Sequence, residues 1–287
     1  MRKILLLLAV ACSPVDIPGK DRVYDYDMAY LINLDRNPER FKAMDQQFLR
    51  ENIRGKRFSA VDGYRITLID KTTGEIISGK ESMLGVGKYT WKKRPARYRV
   101  TQDDRHRDAE FDLLVKFRQF SAGEIGCIYS HRAVWRDIVK NNYRNAIVFE
   151  DDLVLSKDFK KNLIKLIRNI PRDADITFIG IGRMKGKAVL YPSIDDIFRD
   201  FDHVKGNDFV AKIQPTNLLF GTYAYIIGAE SAKKLLKLTD DCSYPLDDII
   251  LQQGGIDRGV IRGYVAKKKT FSIAPTDSEI KKMGRSF

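Results

Sequence analysis

This sequence has few cysteines and no long apolar run. These shortages argue against a disulfide-stabilised protein and against an ordinary transmembrane protein. The 287 residues include three cysteines, Cys12, Cys127 and Cys242. An odd number of widely separated cysteines argues against a disulfide framework. No stretch reaches the roughly 20 consecutive apolar residues that an ordinary transmembrane helix needs. The sequence also has no internal repeat and no low-complexity tract.

The chain is rich in apolar side chains and in positive charge. Hydrophobic residues make up 44% and aromatic residues 10% of the sequence, which is typical of a globular protein rather than a disordered one. A chain of this length forms one large domain or two small ones. The net charge of +13 implies an acidic partner: a nucleotide diphosphate, a phosphorylated glycan, an anionic membrane surface or nucleic acid. Charge alone does not choose among these partners.

Residues 1–19 resemble a secretory signal. Arg2 and Lys3 precede the short apolar run Ile4–Ala11, which ends at Cys12. The end of this run, together with the cysteine, resembles a bacterial lipoprotein box. A lipid on Cys12 would anchor the protein to a membrane from outside the cytoplasm. An uncleaved membrane-touching segment and a misassigned start codon are the alternatives.

Strands and helices alternate after a polar linker at residues 20–28. The hydrophobic pattern predicts strands at residues 28–34, 57–61, 146–149, 175–181, 211–213 and 221–227, and a hairpin over 66–77. It predicts helices at residues 38–52, 121–142, 157–169 and 231–238. Ser121 and Glu124 form a capping box at the start of the clearest helix. The alternation indicates an α/β fold with a largely parallel sheet.

A basic stretch at about residues 64–120 interrupts this alternation. Within it, residues 85–118 hold ten Lys or Arg against five Asp or Glu, and Tyr89, Trp91 and Tyr98 are interleaved with them. We interpret the stretch as an insertion or flexible flap outside the core. Binding of an acidic glycan acceptor, contact with anionic lipid and a plain solvated surface are all compatible with it.

Three consecutive carboxylates follow the apolar run Ala146–Phe149. Such a run suits a strand that is buried on both faces. Glu150, Asp151 and Asp152 are therefore expected at its carboxyl end, where open α/β sheets bind ligands. Adjacent anions repel one another unless a cation joins them or water solvates them. Hard oxygen ligands suit Mg²⁺ or Mn²⁺, which in turn suit diphosphates; a solvated acidic turn that caps the next helix is the alternative.

Six blocks of the chain, taken together, resemble glycosyltransferase family 25, which includes lipooligosaccharide galactosyltransferases and relatives of collagen galactosyltransferases. The blocks are Leu31–Arg36 with Glu39–Arg40, Ala60–Gly63, Gly123–Cys127 with Ser130–His131, Phe149–Asp152, Gly221–Tyr225 with Ala232–Leu236, and Pro245–Asp248. Their order matches the family, and this is more specific than any single block. The resemblance implies an α/β, GT-A-like nucleotide-sugar-binding domain over residues 29–270, with residues 271–287 as a basic C-terminal tail. It also implies a nucleotide-sugar donor, a divalent metal and inversion at the anomeric carbon.

The resemblance suggests roles for the acidic triplet. The diphosphate leaving group of a nucleotide sugar develops charge that a metal or cationic groups must stabilise. By analogy with GT-A enzymes, Asp152 and Glu150 are expected to bind Mn²⁺ or Mg²⁺. Asp151 or Glu150 is expected to contact the ribose or the sugar of the donor.

Further polar residues are expected around the same pocket. Asn33, Asp35, Arg36 and Asp62 follow predicted strands and are expected to line the nucleotide pocket at the carboxyl edge of the sheet. Loop and capping roles are the alternative for each of them.

Inversion also requires a base that takes the proton of the attacking hydroxyl. Asp247 and Asp248 follow Pro245 ahead of an apolar segment, and one of them is our candidate base. A pair of helix N-cap residues is the alternative interpretation.

Cys127 and His131 are four residues apart on a predicted helix, and therefore on one face of it. This spacing is metal-like, but no second pair of soft ligands accompanies it. A buried free thiol and a structural histidine are the favoured interpretations, with orientation of a catalytic group or proximity to the diphosphate as alternatives for His131.

The sequence thus predicts an inverting glycosyltransferase that moves a hexose, with galactose as one candidate, from a UDP-sugar to a hydroxyl of a glycan such as lipopolysaccharide or lipooligosaccharide. The expected partners are the donor, an acidic or phosphorylated glycan acceptor and a membrane surface, with no nucleic acid. The expected location is the cytoplasmic face of a membrane if the start is not a true signal, and a lipid anchor outside the cytoplasm if it is. A non-catalytic surface lipoprotein that binds anionic glycan is the main alternative. A metal-dependent nuclease or nucleotidyltransferase is a weaker one, because it would need further acidic ligands on a neighbouring strand.

Overall fold

A computed structural model describes most of the chain, with gaps. The described residues are 26–78, 96–102, 106–115, 120–185, 188–190, 201–215 and 219–274, with side chains left out at 183–185 and 188–190. The signal-like segment, Tyr89, Trp91 and nearly all of the basic tail lie outside these ranges. Within them, no helix has the length and hydropathy needed to cross a membrane.

Four of the five helices of the described residues lie close to the predicted positions, and the short helix after Pro245 is the fifth. The five are α1 (Pro38–Arg50), α2 (Ala122–Lys140), α3 (Phe159–Arg168), α4 (Ala229–Leu238) and α5 (Leu246–Leu251). Pro38 is the first residue of α1, where the N–H that proline lacks would have no helical partner anyway. The capping box of Ser121 and Glu124 at the start of α2 is confirmed.

The strands of the described residues form a large central sheet, a second sheet of five strands and a small pair. The central sheet contains β1 (Met28–Asn33), β2 (Gly55–Ser59), β7 (Ala146–Glu150), β9 (Ile176–Lys185), β10 (Ala188–Leu190), β11 (Phe201–His203), β12 (Val210–Ile213), β13 (Leu219–Ile227) and β15 (Gly263–Ala266). The second sheet contains β3 (Ile66–Asp70), β4 (Ile76–Ser78), β5 (Ala96–Gln102), β6 (Phe111–Val115) and β14 (Asp241–Cys242). The pair is β8 (Leu153–Leu155) with β16 (Phe271–Ile273).

The central sheet confirms the α/β class, and its strand order is β11-β12-β15-β9-β13-β7-β1-β2, with β10 beside β9. Parallel pairing joins β1 to β2 and β7, and β15 to β9. The other pairings in this sheet are antiparallel, including those of β13 with β7 and with β9. The sheet is therefore more mixed than the sequence predicts, while its parallel β2-β1-β7 part carries the acidic triplet.

Both faces of the central sheet are buried, as the apolar run before the acidic triplet predicts. Along β7, Ala146 and Val148 belong to one hydrophobic cluster and Ile147 and Phe149 to the other. Helices α2 and α4 cover the first cluster, and α1 and α3 cover the second. The sandwiched sheet fixes the end of β7 relative to the end of β1.

The second sheet corrects the expectation that the basic stretch lies outside the core. Val100, Phe111 and Leu113 are at most 1% exposed and belong to the same cluster as α2. The hairpin of β3 and β4 is confirmed, and β5 pairs with β3 as well as β6. The described part of this stretch is therefore a packed layer of the domain, and it joins the core through alternate apolar residues.

A fully buried arginine ties this layer to the helices. The guanidinium of Arg132, on α2, donates to the carbonyl oxygens of Ala109 and Glu110 at 2.8 and 2.9 Å. It also donates to the Leu236 carbonyl at 2.8 Å and to Asp240 Oδ1 at 2.9 Å. Burial lowers the pKa of Arg132, with Asp240 opposing this effect. Arg132 thus connects the segment before β6 with the end of α4.

Removal of the α2 cap gives a first prediction. The amide of Glu124 donates to Ser121 Oγ at 3.2 Å, and the amide of Ser121 donates to Glu124 Oε2 at 2.9 Å. We expect Ser121→Ala to lower the free energy of unfolding by about 1 kcal/mol, because a helix-end N–H loses its acceptor. Urea denaturation measures this change, and Ser121→Thr, which keeps a hydroxyl, is the control. Equal stability of the alanine variant and the wild type would contradict the capping role.

Candidate active site

A cleft of about 110 Å³ opens at the carboxyl ends of β1 and β7. The acidic triplet lies on one side of it, and the first turns of α2 lie on another. The residues that line it are Ile32, Leu34, Arg40, Ala60, Val61, Gly63, Gly123, Gly126, Cys127, Ser130, His131, Glu150, Asp151 and Asp152. Four of the six sequence blocks therefore meet at this cleft.

Close packing fixes the wall between the loop after β2 and α2. The amide of Val61 donates to Ser130 Oγ at 2.8 Å, and that hydroxyl donates to the Gly126 carbonyl at 2.7 Å. A Cβ on Gly126 would lie 2.7 Å from the Val61 carbonyl oxygen, and one on Gly63 would lie 1.8 Å from that of Ala122. Side chains at either glycine would push the loop off the helix, so both positions need glycine for this approach.

Asp151 is held from behind by two side chains. Ile32 pairs with Glu150 in the sheet, which places Asn33 level with Asp151. Asn33 Nδ2 donates to Asp151 Oδ2 at 2.7 Å, and Arg40 Nη1 donates to Oδ1 at 3.1 Å. Burial nevertheless raises the pKa of Asp151, against the effects of Asn33 and Arg40. Asn33 itself is 1% exposed and positions Asp151 rather than lining the cleft.

Asp35, Arg36 and Asp62 lie near the cleft but outside its lining residues. Asp35 accepts hydrogen bonds from Arg57 and Ser59, each at 2.8 Å. Arg36 Nε donates to Asp62 Oδ2 at 3.0 Å, and Asp62 also caps the short 3₁₀ helix at residues 63–65. Their contact with a nucleotide stays a prediction.

Asp152 is the residue whose environment favours a ligand most clearly. Its Oδ1 is buried and has no hydrogen-bond partner among the described residues. Burial and the neighbouring carboxylates of Glu150 and Asp151 raise the pKa of Asp152 from 3.8 to about 7. A buried acceptor among like charges is costly, and a cation at Asp152 would relieve both problems.

Glu150 is oriented by residues from other elements. Thr222 Oγ1, on β13, donates to Glu150 Oε1 at 2.6 Å, and His131 Nε2 lies 3.6 Å from the same oxygen. His131 is 1% exposed, and its Nδ1 lies 2.8 Å from the Tyr225 hydroxyl. Trp135 Nε1 donates to that hydroxyl at 2.9 Å. Separate hydrogen bonds thus orient Glu150 and His131, whose facing atoms lie 3.6 Å apart beside the cleft.

Asp247 lies beside the same part of β13. Its Oδ2 accepts a hydrogen bond from the Gly221 amide, and its Oδ1 accepts one from the Asp248 amide, each at 3.1 Å. Gly221 is adjacent to Thr222, which donates to Glu150. The structure therefore brings Asp247 close to the triplet, and half-exposed Asp248 follows it at the start of α5.

Comparison with known proteins shows which family the chain belongs to. The family described as Glycosyltransferase family 25 (LPS biosynthesis protein) matches residues 27–250. The chain belongs to glycosyltransferase family 25. The match covers every strand of the central sheet except β15, together with the cleft and both acidic segments.

Three curated relatives in family 25 have low sequence identity to this chain and are much longer than it. Procollagen galactosyltransferase 2 of Homo sapiens is 26% identical over 74% of this chain and 27% of its own length. A Glycosyltransferase 25 family member of Drosophila melanogaster is 24% identical, over 81% of this chain and 30% of its own. The Probable inactive glycosyltransferase 25 family member 3 of Bos taurus is 22% identical, over 76% and 30%. The chain thus spans under a third of these curated relatives.

The carboxylates of this family 25 cleft fit a hard divalent cation. Both oxygens of Asp151 are engaged by Asn33 and Arg40. Glu150 and Asp152 are the remaining carboxylates of the triplet, and Asp152 contributes the unpartnered oxygen. Two carboxylates in a partly hydrated site suit Mg²⁺ or Mn²⁺.

The sequence interpretation missed several residues of the site. Arg40 had no assigned role, although it is on the first turn of the helix after β1. Thr222, Tyr225 and Trp135 had none either, because their contacts join segments that are 72, 94 and 90 residues apart. Glu124, in contrast, has the capping role that the sequence favours.

Because the carboxylates crowd one another, the stability difference between the wild type and Asp152→Asn is expected to depend on pH in the metal-free protein. The raised pKa of Asp152 means that its ionisation destabilises the fold. This cost is absent below the unfolded value near 3.8, grows as pH rises and is complete above about 7. We expect Asp152→Asn, with chelator present, to unfold ~3 °C or more above the wild type at pH 8, with little difference near pH 4. Differential scanning calorimetry measures this, and a constant difference across the pH range would contradict the assignment.

Proposed function

We propose that the chain is an inverting glycosyltransferase that moves a hexose from a UDP-sugar to a hydroxyl of a glycan. The observation that carries this proposal is the buried Oδ1 of Asp152, beside Glu150, which has no hydrogen-bond partner in the described part of the chain. It lies in a cleft at the carboxyl ends of β1 and β7, in a domain of family 25. Open α/β sheets bind their ligands at this edge.

Asp152 and Glu150 are the proposed ligands of Mn²⁺ or Mg²⁺. Once bound, the ion would neutralise charge on the diphosphate leaving group. Arg40 lines the same cleft and adds a permanent positive charge near the diphosphate. Its ion pair with Asp151 at 3.1 Å also keeps Asp151 in place for contact with the ribose or sugar of the donor.

The proposed base is one of the two carboxylates at the start of α5. It takes the proton of the acceptor hydroxyl as that oxygen attacks the anomeric carbon. The new carbon–oxygen bond forms while the bond to the diphosphate breaks, and UDP leaves with the electron pair. The contacts of Asp247 with Gly221 and of Thr222 with Glu150 support a position beside the donor site.

Galactose and a bacterial-type glycan are the proposed sugar and acceptor. Relatives carry the name procollagen galactosyltransferase, which supports galactose. The family description names lipopolysaccharide biosynthesis, which supports a lipopolysaccharide or lipooligosaccharide acceptor. The net charge of +13 is compatible with an acidic or phosphorylated acceptor.

Attachment to a membrane surface is part of the proposal. Lys161, Lys165 and Arg168 are exposed on α3. Exposed Lys268 donates to Asn162 Oδ1 at 3.2 Å, which brings the loop after β15 beside this helix. Such a cationic face favours an anionic surface by about 1 kcal/mol per residue. It supports a membrane-associated location, on the cytoplasmic face or through a lipid on Cys12.

The test of the proposed reaction is release of UDP by the purified chain. UDP-galactose and UDP-glucose are compared in the presence of Mn²⁺ or Mg²⁺, with a chelator-treated sample as the control. We expect divalent-cation-dependent release, faster with galactose as the sugar. Absence of release from both donors, together with absence of UDP binding by calorimetry, would favour the non-catalytic glycan-binding alternative.

A further inference from the structure

We propose that Cys127, His131 and Glu150 form a binding site for a thiophilic divalent cation of the zinc type, which shares Glu150 with the proposed manganese or magnesium position. The spacing of Cys127 and His131 on α2 indicates a metal ligand pair, and the missing third ligand comes from the end of β7. This site does not depend on the proposed reaction.

The three ligand atoms are already close together. Cys127 Sγ, a ring nitrogen of His131 and a carboxylate oxygen of Glu150 all lie within 4.8 Å of one another. His131 Nε2 and Glu150 Oε1 are 3.6 Å apart, too long for a hydrogen bond. Tetrahedral zinc bonds of ~2.0–2.3 Å place neighbouring ligand atoms roughly 3.3–3.6 Å apart. A small movement of the Cys127 thiol toward His131 and Glu150 would therefore complete the site.

The ligands are accessible from the cleft, and their chemistry selects the ion. All three residues line the cleft, so a cation and a water molecule can reach the open fourth position. Cys127 lies outside any disulfide. Sulfur and imidazole ligands favour zinc and its soft neighbours over Mn²⁺ or Mg²⁺. Binding forms the metal–sulfur bond and releases the thiol proton to solvent.

Neighbouring side chains fix two of the ligands. Tyr225 holds His131 through Nδ1 at 2.8 Å, which leaves Nε2 toward Glu150. Thr222 holds Glu150 through Oε1 at 2.6 Å. These contacts fix the His131 ring and the Glu150 carboxylate in position before a metal binds, so the fold already meets part of the ordering cost.

The Tyr225 hydroxyl is expected to limit the affinity of the proposed site for zinc. Among the described residues its partners are Trp135 Nε1, which can only donate, and His131 Nδ1. In the metal-free protein Tyr225 therefore donates to Nδ1, and the ring proton is on Nε2. When a metal binds Nε2, the ring proton moves to Nδ1, and the buried Tyr225 hydroxyl proton loses its acceptor. This loss weakens metal binding by about ten- to a hundredfold. Protein zinc sites commonly bind at ~0.1 µM or tighter, so we expect a dissociation constant of about 1–10 µM.

Glu150 belongs to both proposed metal positions. A zinc-type ion that occupies Glu150 Oε1 withdraws part of the carboxylate from the proposed manganese or magnesium site. The two ions are therefore expected to compete, and an excess of zinc is expected to displace manganese from the cleft.

The test uses Co²⁺ as a spectroscopic probe of the full-length protein. We expect a thiolate-to-cobalt absorption band in the near ultraviolet that zinc removes by displacement. Cys127→Ser is expected to abolish this band and to weaken zinc binding at least about tenfold, measured by competition with a chromophoric chelator. Cys242→Ser and Cys12→Ser are the matched controls, and both are expected to keep the band.

Two outcomes would overturn the site. One is the absence of a thiolate band at saturating Co²⁺ in protein with an intact circular dichroism spectrum. The other is a band that persists in Cys127→Ser and disappears in one of the two control variants. Neither outcome depends on UDP release, so a failure of the zinc site and a failure of the proposed reaction are distinguishable.

Discussion

Asp152→Asn is expected to lower metal-dependent UDP release from a UDP-sugar by about 1000-fold or more. The substitution keeps the shape of the side chain and removes the charge. The buried Oδ1 of Asp152 has no hydrogen-bond partner among the described residues, and burial, Glu150 and Asp151 oppose the charge more than Arg40 favours it. Its loss is therefore expected to affect the metal and the donor and to leave the fold intact.

The measurement for this prediction is steady-state UDP release at saturating Mn²⁺. The control is Asp158→Asn, which changes an exposed carboxylate six residues along the chain. The control variant is expected to keep wild-type turnover. Wild-type turnover in Asp152→Asn would contradict the assignment of Asp152, while loss of turnover in both variants would indicate a general electrostatic effect.

Substitution of the candidate base is expected to have the second largest effect. One of the variants Asp247→Asn and Asp248→Asn is expected to lower kcat by about 10²–10⁴-fold, which is the usual contribution of general base catalysis. The KM for the UDP-sugar is expected to change little, because proton removal occurs on the acceptor side. Asp247 also accepts hydrogen bonds from two backbone amides, so a structural role alone would appear as lower stability.

Acceptor-dependent kinetics separate these two roles. The matched control is Asp257→Asn, since Asp257 likewise accepts a hydrogen bond from a nearby backbone amide, that of Gly254, at 2.7 Å. Thermal unfolding of each variant shows whether the loss of kcat accompanies a loss of stability. Full kcat in both Asp247→Asn and Asp248→Asn would remove the pair as the source of the base.

The core of the site was predictable because local sequence specifies it. Four apolar residues before Glu150 indicate a strand buried on both faces, and β7 is such a strand. The capping box indicates where α2 begins, which fixes one wall of the cleft. These signals depend on neighbours a few residues apart, so they can be read without knowledge of the fold.

The second sheet was not predictable from the charge count of the basic stretch. Along β5, Tyr98 and Val100 are buried while Arg97 and Arg99 lie on the other face. Lys71 and these two arginines lie near Asp112 of β6. The positive charge therefore occupies one face of a sheet whose opposite face belongs to the core. The alternation of buried and charged residues along β5 indicated this packing better than the charge count did.

Long-range contacts were beyond the sequence for a different reason. A charged residue on a helix is normally exposed, yet Arg132 is 0% exposed because loop carbonyls and Asp240 surround its guanidinium. The third ligand beside Cys127 and His131 likewise comes from a separate strand. Such pairings follow from the packing of distant segments, which local periodicity does not encode.

The most direct test of the central claim is calorimetric titration of UDP into the metal-free protein, with and without Mn²⁺, beside the Asp152→Asn variant. The cleft is expected to bind UDP in the wild type when Mn²⁺ is present, and at least about tenfold more weakly when either Mn²⁺ or the Asp152 carboxylate is removed. Equal UDP affinity in all three samples would contradict a metal-dependent nucleotide-sugar site at Glu150 and Asp152.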